Sequence, residues 1–129
     1  MAKKGLNAPF FADLRGEIHR LNVKGVKFNA LFTKKGALRS GDYHPVVQYN
    51  IVLKGKLQIT LRKGNKDVKM IKKPGELIKI PPNTPHLYKF LADSVILEWW
   101  GGPFKVKYYQ PYRKIIEASL RRAASKGRK

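Results

Sequence analysis

The sequence predicts an all-β domain, a sandwich or barrel, followed by a basic C-terminal α-helix. Short runs of β-forming residues alternate with turn signals that contain Gly, Pro, Asn and Lys, a pattern typical of sandwiches and barrels. In KLQITL, Leu57, Ile59 and Leu61 share one face of the strand, as a half-buried strand requires. The predicted strands are Glu17–Leu21, Val26–Thr33, Val46–Leu53, Lys56–Arg62, Asp67–Ile71, Glu76–Ile80, His86–Leu91, Ser94–Trp99 and Phe104–Tyr108.

The chain is expected to form one domain, because its 129 residues are 43% apolar and can bury a packed core. After Pro111 the pattern changes, and apolar residues at helical spacing predict a helix over Arg113–Ser125. The predicted division is an N-terminal arm over residues 1–15, a barrel over 16–112, and a basic helix and tail over 113–129.

Composition excludes several classes of site. The chain has no Cys, which excludes disulfides, zinc–thiolate sites and cysteine nucleophiles. No apolar segment follows Lys3 and Lys4, so no secretory leader is expected, and no apolar run approaches the length of a membrane span. A cytoplasmic protein without a membrane partner is therefore the expectation.

The charge is strongly unbalanced. The net charge is +20, from 28 Lys and Arg against 8 Asp and Glu, and such an excess repels itself in the compact state. A polyanion would relieve that repulsion, and RNA or a ribonucleoprotein is the commonest such partner of a small basic domain. The residues expected to contact nucleic acid are Lys105, Lys107, Arg113, Lys114, Arg121, Arg122, Lys126, Arg128 and Lys129.

Two spaced segments carry the most specific pattern in the chain. The first reads GALRSGDYHPVVQYNIVLKG and the second reads GELIKIPPNTPHLYKF. Together they resemble the two signature motifs of the cupin family, and the resemblance implies a single small cupin jelly-roll barrel with His44 and His86 pointing inward. The matching positions are Gly36, Asp42, His44, Gln48 and Gly55 in the first motif, and Gly75, Pro81, Asn83 and His86 in the second.

The cupin resemblance also implies a position for a metal. In that family two His and a Glu from the first motif and one His from the second bind a divalent metal such as iron, manganese, nickel or zinc. Carried over by position, the set is Asp42, His44, Gln48 and His86. Two imidazoles and one carboxylate can bind Fe(II) or Mn(II), but Gln48 is a neutral ligand and Asp42 replaces an imidazole. The expectation is weak or absent metal and no required cofactor, with one of these four metals as the open alternative.

A closer resemblance concerns the cupin-like ketoisomerases that act on keto-sugar nucleotides. Their first motif, R-G-x-H-A-H followed by a Gln, is matched by Arg39, His44 and Gln48, while Asp42 departs at the first His. In those enzymes paired imidazoles shuttle a proton between adjacent sugar carbons without a metal. The resemblance implies that His44, His86, Arg39 and Asp42 would be catalytic, with Gln48 and Tyr43 in the pocket.

Three classes of function remain open at this point. The charge favours a non-catalytic, cupin-fold RNA-binding or ribonucleoprotein component with a degenerate pocket, and this is the leading hypothesis. The alternative is a sugar-nucleotide isomerase or epimerase that uses His44 and His86, and the third class is a metal-dependent cupin oxygenase. A small anionic ligand in the barrel and a homodimer are further expectations.

Overall fold

The computed structural model describes residues 10–126 as two antiparallel sheets that face each other, followed by one helix. The predicted all-β jelly roll with a C-terminal helix is confirmed. No helix within the described range has the length and apolar character that crossing a membrane requires. In chain order the elements are β1 (Phe11–Asp13), β2 (Gly16–Val23), β3 (Val26–Thr33), β4 (Leu38–Tyr43), β5 (Gln48–Lys54), β6 (Leu57–Lys63), β7 (Lys66–Lys72), β8 (Leu77–Ile80), β9 (His86–Phe90), β10 (Ser94–Trp100), β11 (Lys107–Tyr108) and α1 (Gln110–Lys126).

The two sheets enclose an apolar core. One sheet has the strand order β1-β2-β3-β10-β5-β8 and the other β11-β4-β9-β6-β7. Alternation along β6 turns Leu57, Ile59 and Leu61 inward, as the sequence predicted, and they meet Val52 and Ile96 from the opposite sheet in one cluster. Burying each such side chain contributes about 1.5–3 kcal/mol, so this cluster is the main source of the barrel's stability.

Strand β4 was not predicted from the sequence. Its residues, LRSGDY, are mostly polar and include Gly41, so they lack the alternation of apolar residues that marks a strand buried on one face. Its inward side chains line a polar cavity rather than the core. Strand β1 also lies in the predicted arm, where its backbone pairs with β2 while Phe10, Phe11 and Leu14 stay exposed.

The end of the chain differs from the prediction in two places. The predicted strand Phe104–Tyr108 is reduced to Lys107–Tyr108. Helix α1 begins at Gln110, earlier than predicted, because Pro111 lies in its first turn, where proline's missing N–H has no partner to lose.

A β-bulge in β4 decides which side chains face the barrel interior. Ser40 pairs with Leu87 and Asp42 pairs with His86, so Gly41 is an extra residue between the two pairs. An extra residue shifts the alternation of the strand by one position. Arg39 and Asp42, three residues apart, therefore both face inward and border the same cavity.

Helix α1 packs on this bulge. Gly41 has φ +72°, and a Cβ atom at this position would lie 2.8 Å from Ile116 Cδ1 and 2.9 Å from Arg113 Cδ. Ile116 is fully buried in this contact. Both the backbone conformation and the available space therefore require glycine here.

We predict that Gly41→Ala lowers the free energy of unfolding by about 2–4 kcal/mol, from left-handed backbone strain and overpacking against the helix. Gly64→Ala is the matched control, since Gly64 has φ +63° but open space around its Cβ position. The free energy of unfolding of this control is expected to fall by only about 1 kcal/mol. Denaturant unfolding measures both variants, and equal losses would contradict the tight contact between α1 and β4.

Candidate functional site

A cavity of about 300 Å³ opens between the two sheets, at the lower end of the range for small-molecule pockets. Strands β4, β5 and β10, the segment before β11, and helix α1 each contribute to its wall. The lining residues are Arg15, Ile18, Leu31, Arg39, Ser40, Asp42, His44, Gln48, Glu98, Trp100, Phe104, Val106, Tyr108 and Arg113.

Two residues that line this cavity, Asp42 and His44, converge with the buried His86, and we refer to Asp42, His44 and His86 as the Asp-His-His cluster. One carboxylate oxygen and one ring nitrogen from each histidine lie within 4.8 Å of one another. Asp42 Oδ1 is 3.3 Å from His86 Nε2 and 3.6 Å from His44 Nε2. Both histidines are buried, so the predicted inward orientation is confirmed.

Backbone carbonyl groups fix the tautomers of both rings. His44 Nδ1 lies 2.7 Å from the Lys105 carbonyl oxygen, and His86 Nδ1 lies 2.9 Å from the Thr84 carbonyl oxygen. A carbonyl oxygen only accepts hydrogen bonds, so each Nδ1 carries the hydrogen and donates it. In the neutral rings each Nε2 therefore directs a lone pair towards Asp42.

The cluster consequently brings together acceptors that have no donor. Asp42 Oδ1 and His86 Nε2 are both buried without a hydrogen-bond partner. Burial lowers the pKa of His86 to about 4, which keeps this ring neutral at pH 7. Burial also raises the pKa of Asp42, although the Arg113 guanidinium, and His44 when it is protonated, favour the ionised form of this carboxyl. Converging acceptors repel one another unless a proton or a cation lies between them.

The separations are compatible with a bound cation. A charge-assisted hydrogen bond would bring the two atoms to about 2.7–2.9 Å, shorter than either observed distance. Two ligand atoms bound at about 2.1 Å to one metal in tetrahedral geometry lie about 3.4 Å apart, close to the observed 3.3 and 3.6 Å. Two imidazoles and one carboxylate also form a known donor set for divalent transition metals. The cluster therefore fits such a metal.

Gln48, at the fourth position implied by the cupin resemblance, is held by other partners. Its Nε2 donates to Asn50 Oδ1 at 2.8 Å and to the Tyr88 hydroxyl oxygen at 3.2 Å. Its Oε1 accepts a hydrogen bond from Trp100 Nε1 at 3.1 Å. This network fixes the side chain of Gln48 at the cavity wall.

Arg39 and Glu98 are two ionisable side chains in the wall of the same cavity. Arg39 Nε donates to Thr33 Oγ1 at 2.8 Å, and burial together with neighbouring Arg15 lowers its pKa to about 10. Asn29 donates to Glu98 Oε2 at 3.1 Å, and burial raises the pKa of Glu98 to about 7. Glu98 was not singled out in the sequence, although a lone carboxylate within the apolar run VILEWW marks it.

Aromatic rings flank His44. The ring centroids of Trp100 and Phe104 lie 5.8 and 5.2 Å from that of His44, and 4.5 Å from each other. Neither Trp100 nor Phe104 was identified as a site residue from the sequence. Both border the cavity, where they limit the access of water to His44.

Two other predicted site residues, Tyr43 and Arg113, differ in their relation to the cavity. Tyr43 is half-buried between Asp42 and His44 on β4 and is not part of the cavity lining. Arg113 lies in the cavity wall, where its Nη1 donates to the Ser40 carbonyl oxygen at 3.1 Å and its guanidinium lies 4.5 Å from the Tyr108 ring centroid.

Five further basic residues that were predicted to contact nucleic acid do not border the cavity. Lys105, Lys107, Lys114, Arg121 and Arg122 are exposed. The side chain of Lys126, together with Arg128 and Lys129, lies outside the described part of the chain. The structure does not test their predicted contact with nucleic acid, which stays a prediction.

A second cavity, of about 390 Å³, shares no lining residue with the first. Its wall includes Asp13, Glu17, Phe32 and Asp93 but no histidine. The unpartnered atoms of Asp42, Arg39 and Arg113 belong to residues that line the first cavity, so the chemistry is assigned there despite its smaller volume.

We predict that Glu98→Gln stabilises the protein more at pH 8 than at pH 5. Because the carboxyl pKa is raised from 4.5 to about 7 in the folded state, Glu98 destabilises the fold progressively as pH rises through this range. The neutral amide avoids that cost. The increase in the free energy of unfolding that Glu98→Gln causes should therefore be about 2 kcal/mol larger at pH 8 than at pH 5. Denaturant unfolding at both pH values is the measurement, and a gain independent of pH would contradict the burial of this carboxyl.

Comparison with solved structures identifies the architecture. The capsular polysaccharide assembling protein CapF from Staphylococcus aureus is 19% identical over 76% of this chain, with a TM-score of 0.65. A deletion mutant of oxalate decarboxylase from Bacillus subtilis is 15% identical over 81% of this chain, with a TM-score of 0.69. The aligned parts cover 33% and 31% of those two proteins, so the chain spans about a third of their length.

No protein-family model and no curated protein matches the sequence. The structural likeness, at identities below one in five, establishes the fold. It agrees with the two spaced motifs and with the inward position of both histidines. The chain therefore has a cupin-like jelly-roll fold.

Proposed function

We propose that this chain is an enzyme whose active site is the cavity with the Asp-His-His cluster, and that the cluster holds a divalent transition metal. The observation that carries this proposal is the convergence of Asp42 Oδ1 with two Nε2 lone pairs, without any donor between them. The solved structures of similar fold include an enzyme, oxalate decarboxylase, which is consistent with chemistry in such a barrel. This proposal replaces RNA binding as the leading hypothesis.

The residues at the site have two separate roles, metal binding and orientation of the metal-binding rings. Asp42, His44 and His86 would hold the metal, which would supply Lewis-acid polarisation of a substrate carbonyl or carboxylate oxygen. The carbonyl groups of Lys105 and Thr84 orient the two rings, as hydrogen bonds behind metal-binding histidines commonly do.

Two further features support the reaction site. Arg113 favours the ionised form of Asp42, the form that binds a cation. Trp100 and Phe104 shield one side of His44 from water, which strengthens electrostatic interactions within the cavity.

We predict that protein treated with a chelator and then dialysed binds one equivalent of Mn(II). Asp42→Asn keeps the shape of the side chain but removes its charge, and should weaken binding about 100-fold. His44→Ala and His86→Ala should weaken binding at least as much, because each removes a ligand. Calorimetric titration measures the affinities.

The matched control is His19→Gln, which removes a histidine that lies outside the cluster and contacts Glu17. Its affinity for Mn(II) should equal that of the unchanged protein. If Mn(II), Fe(II), Ni(II) and Zn(II) all fail to bind stoichiometrically, or if the cluster variants bind as well as the control, the metal centre is wrong.

A second candidate function is a metal-free isomerase or epimerase acting on a keto-sugar nucleotide. The observation that favours it is the position of Gln48, which is held by Asn50, Tyr88 and Trp100 rather than left free as a fourth metal ligand. In this function His44 Nε2 would take a proton from the carbon next to the substrate carbonyl, and Asp42 would stabilise the imidazolium that results.

For this second function we predict that chelator-treated protein incorporates solvent deuterium at the carbon next to the carbonyl of a keto-sugar nucleotide. His44→Gln should slow the exchange at least about 100-fold, because it removes the general base. Mass spectrometry measures the exchange. Exchange that appears only after metal is added would assign the reaction to the metal centre, and no exchange under either condition would exclude this second function.

Binding to RNA, cytoplasmic location and homodimerisation stay predictions. The charge of +20 remains the reason to expect a polyanionic partner. The exposed basic residues of α1, Lys114, Arg121 and Arg122, would be the first positions to examine.

A further inference from the structure

Arg39 carries a buried positive charge that the fold leaves unpaired. Its residue surface is 4% exposed, and its Nε is bound by the neutral hydroxyl of Thr33. Its Nη2 is buried without any hydrogen-bond partner, and the side chain lines the cavity. Among residues 10–126, no carboxylate forms an ion pair with Arg39.

The carboxylates near Arg39 are engaged elsewhere. Asp13 binds Arg15 through both of its oxygens, at 2.7 and 2.9 Å. Glu98 accepts a hydrogen bond from Asn29. A buried charge without a partner costs several kcal/mol, which proteins offset with a counter-charge. Asp13 and Glu98 favour the charged form of Arg39 from beyond ion-pair distance, but neither accepts a hydrogen bond from it, so its Nη2 remains free to bind a ligand.

We propose that Arg39 binds an oxyanion group of the substrate, a carboxylate or a phosphate, while the rest of the substrate reaches the Asp-His-His cluster. This inference rests on the proposed function of the cavity and adds the chemical class of its substrate. A guanidinium fork matches the paired oxygens of either group and can donate two parallel hydrogen bonds. The unpartnered Nη2 is one of the donors that such a group would use.

The geometry also limits the size of the substrate. Arg39 and Asp42 are three residues apart on β4, so their Cα atoms lie at most roughly 10 Å apart at the usual rise of a strand. The cavity holds about 300 Å³. The substrate is therefore a small acid, such as a sugar acid or a sugar phosphate, with its oxyanion at Arg39 and a carbonyl or hydroxyl group at the cluster.

A merely structural role for Arg39 has a different consequence. If Arg39 served only to bind Thr33, replacing it would destabilise the fold and leave ligand binding unchanged. If its charge is kept for a ligand, Arg39→Met should raise the midpoint of thermal unfolding and remove anion binding. Replacing a buried charge with an apolar side chain of similar volume is often neutral or stabilising.

The test titrates the full chain with gluconate, glucose 6-phosphate and the neutral polyol sorbitol, by calorimetry. We expect at least one of the two anions to bind about 10- to 100-fold more tightly than sorbitol, which is the strength of charge-assisted hydrogen bonds. A preference for gluconate would identify the group as a carboxylate, and a preference for glucose 6-phosphate would identify it as a phosphate.

Three variants complete the experiment. Arg39→Gln should abolish the preference for anions, whereas Arg39→Lys, which keeps the charge without the fork, should retain part of it. Arg121→Gln removes the same charge from the exposed surface of α1 and should bind like the unchanged protein. The inference is overturned if neither anion binds better than sorbitol, or if Arg39→Gln and Arg121→Gln bind the anions equally well.

Titration of the same preparations with Mn(II) separates this inference from the proposed function. Binding of Mn(II) without any preference for anions would remove the Arg39 subsite and leave the metal centre in place. An anion preference that depends on Arg39, in protein that binds no metal, would leave the subsite in place and remove the metal centre.

Discussion

The contact between helix α1 and strand β4 at Gly41 is the constraint on which the site depends. The bulge at this glycine shifts the alternation of β4, and Arg39 and Asp42 therefore both face the cavity. The same close approach brings Arg113 of the helix into the cavity wall, where it binds the Ser40 carbonyl oxygen. A side chain at position 41 would separate the helix from the strand and disturb all of these positions together.

The buried polar groups without a hydrogen-bond partner lower the stability of the fold. Five buried side-chain atoms lack a hydrogen-bond partner among the described residues, and four of them belong to Arg39, Asp42, His86 and Arg113. Native proteins rarely leave such groups unpaired, and a concentration of them around one cavity indicates a binding site. The fifth, His19 Nδ1, lies elsewhere, and nothing in the structure explains it.

The apolar core offsets this cost. The cluster around Val52, Ile59 and Ile96 is fully buried, and the network of Gln48, Asn50 and Tyr88 satisfies polar groups by mutual hydrogen bonds. The barrel thus combines an apolar layer that stabilises it with a polar cavity whose remaining donors and acceptors are available to ligands.

Much of the fold could be predicted from the sequence, because strands such as β6 show regular alternation and clear turn signals separate the strands. The spacing of the two motifs was sufficient to predict that His44 and His86 point inward. The bulge was not predictable, since Gly41 in a polar run is equally typical of a turn. The hydrogen bonds that hold Gln48 and the lack of an ion pair at Arg39 depend on contacts between distant strands. The local sequence carries no signal for such contacts.

The tautomers of His44 and His86 test the central claim most directly, because the cluster exists only if both Nε2 atoms face Asp42 without a hydrogen. Long-range proton–nitrogen NMR spectra of the histidine rings, recorded in chelator-treated protein at neutral pH, report which ring nitrogen is protonated. We predict that both rings carry hydrogen on Nδ1, and that added Zn(II) shifts the two Nε2 resonances while those of His19 stay unchanged. Hydrogen on Nε2 of either ring, with no response to the metal, would contradict it.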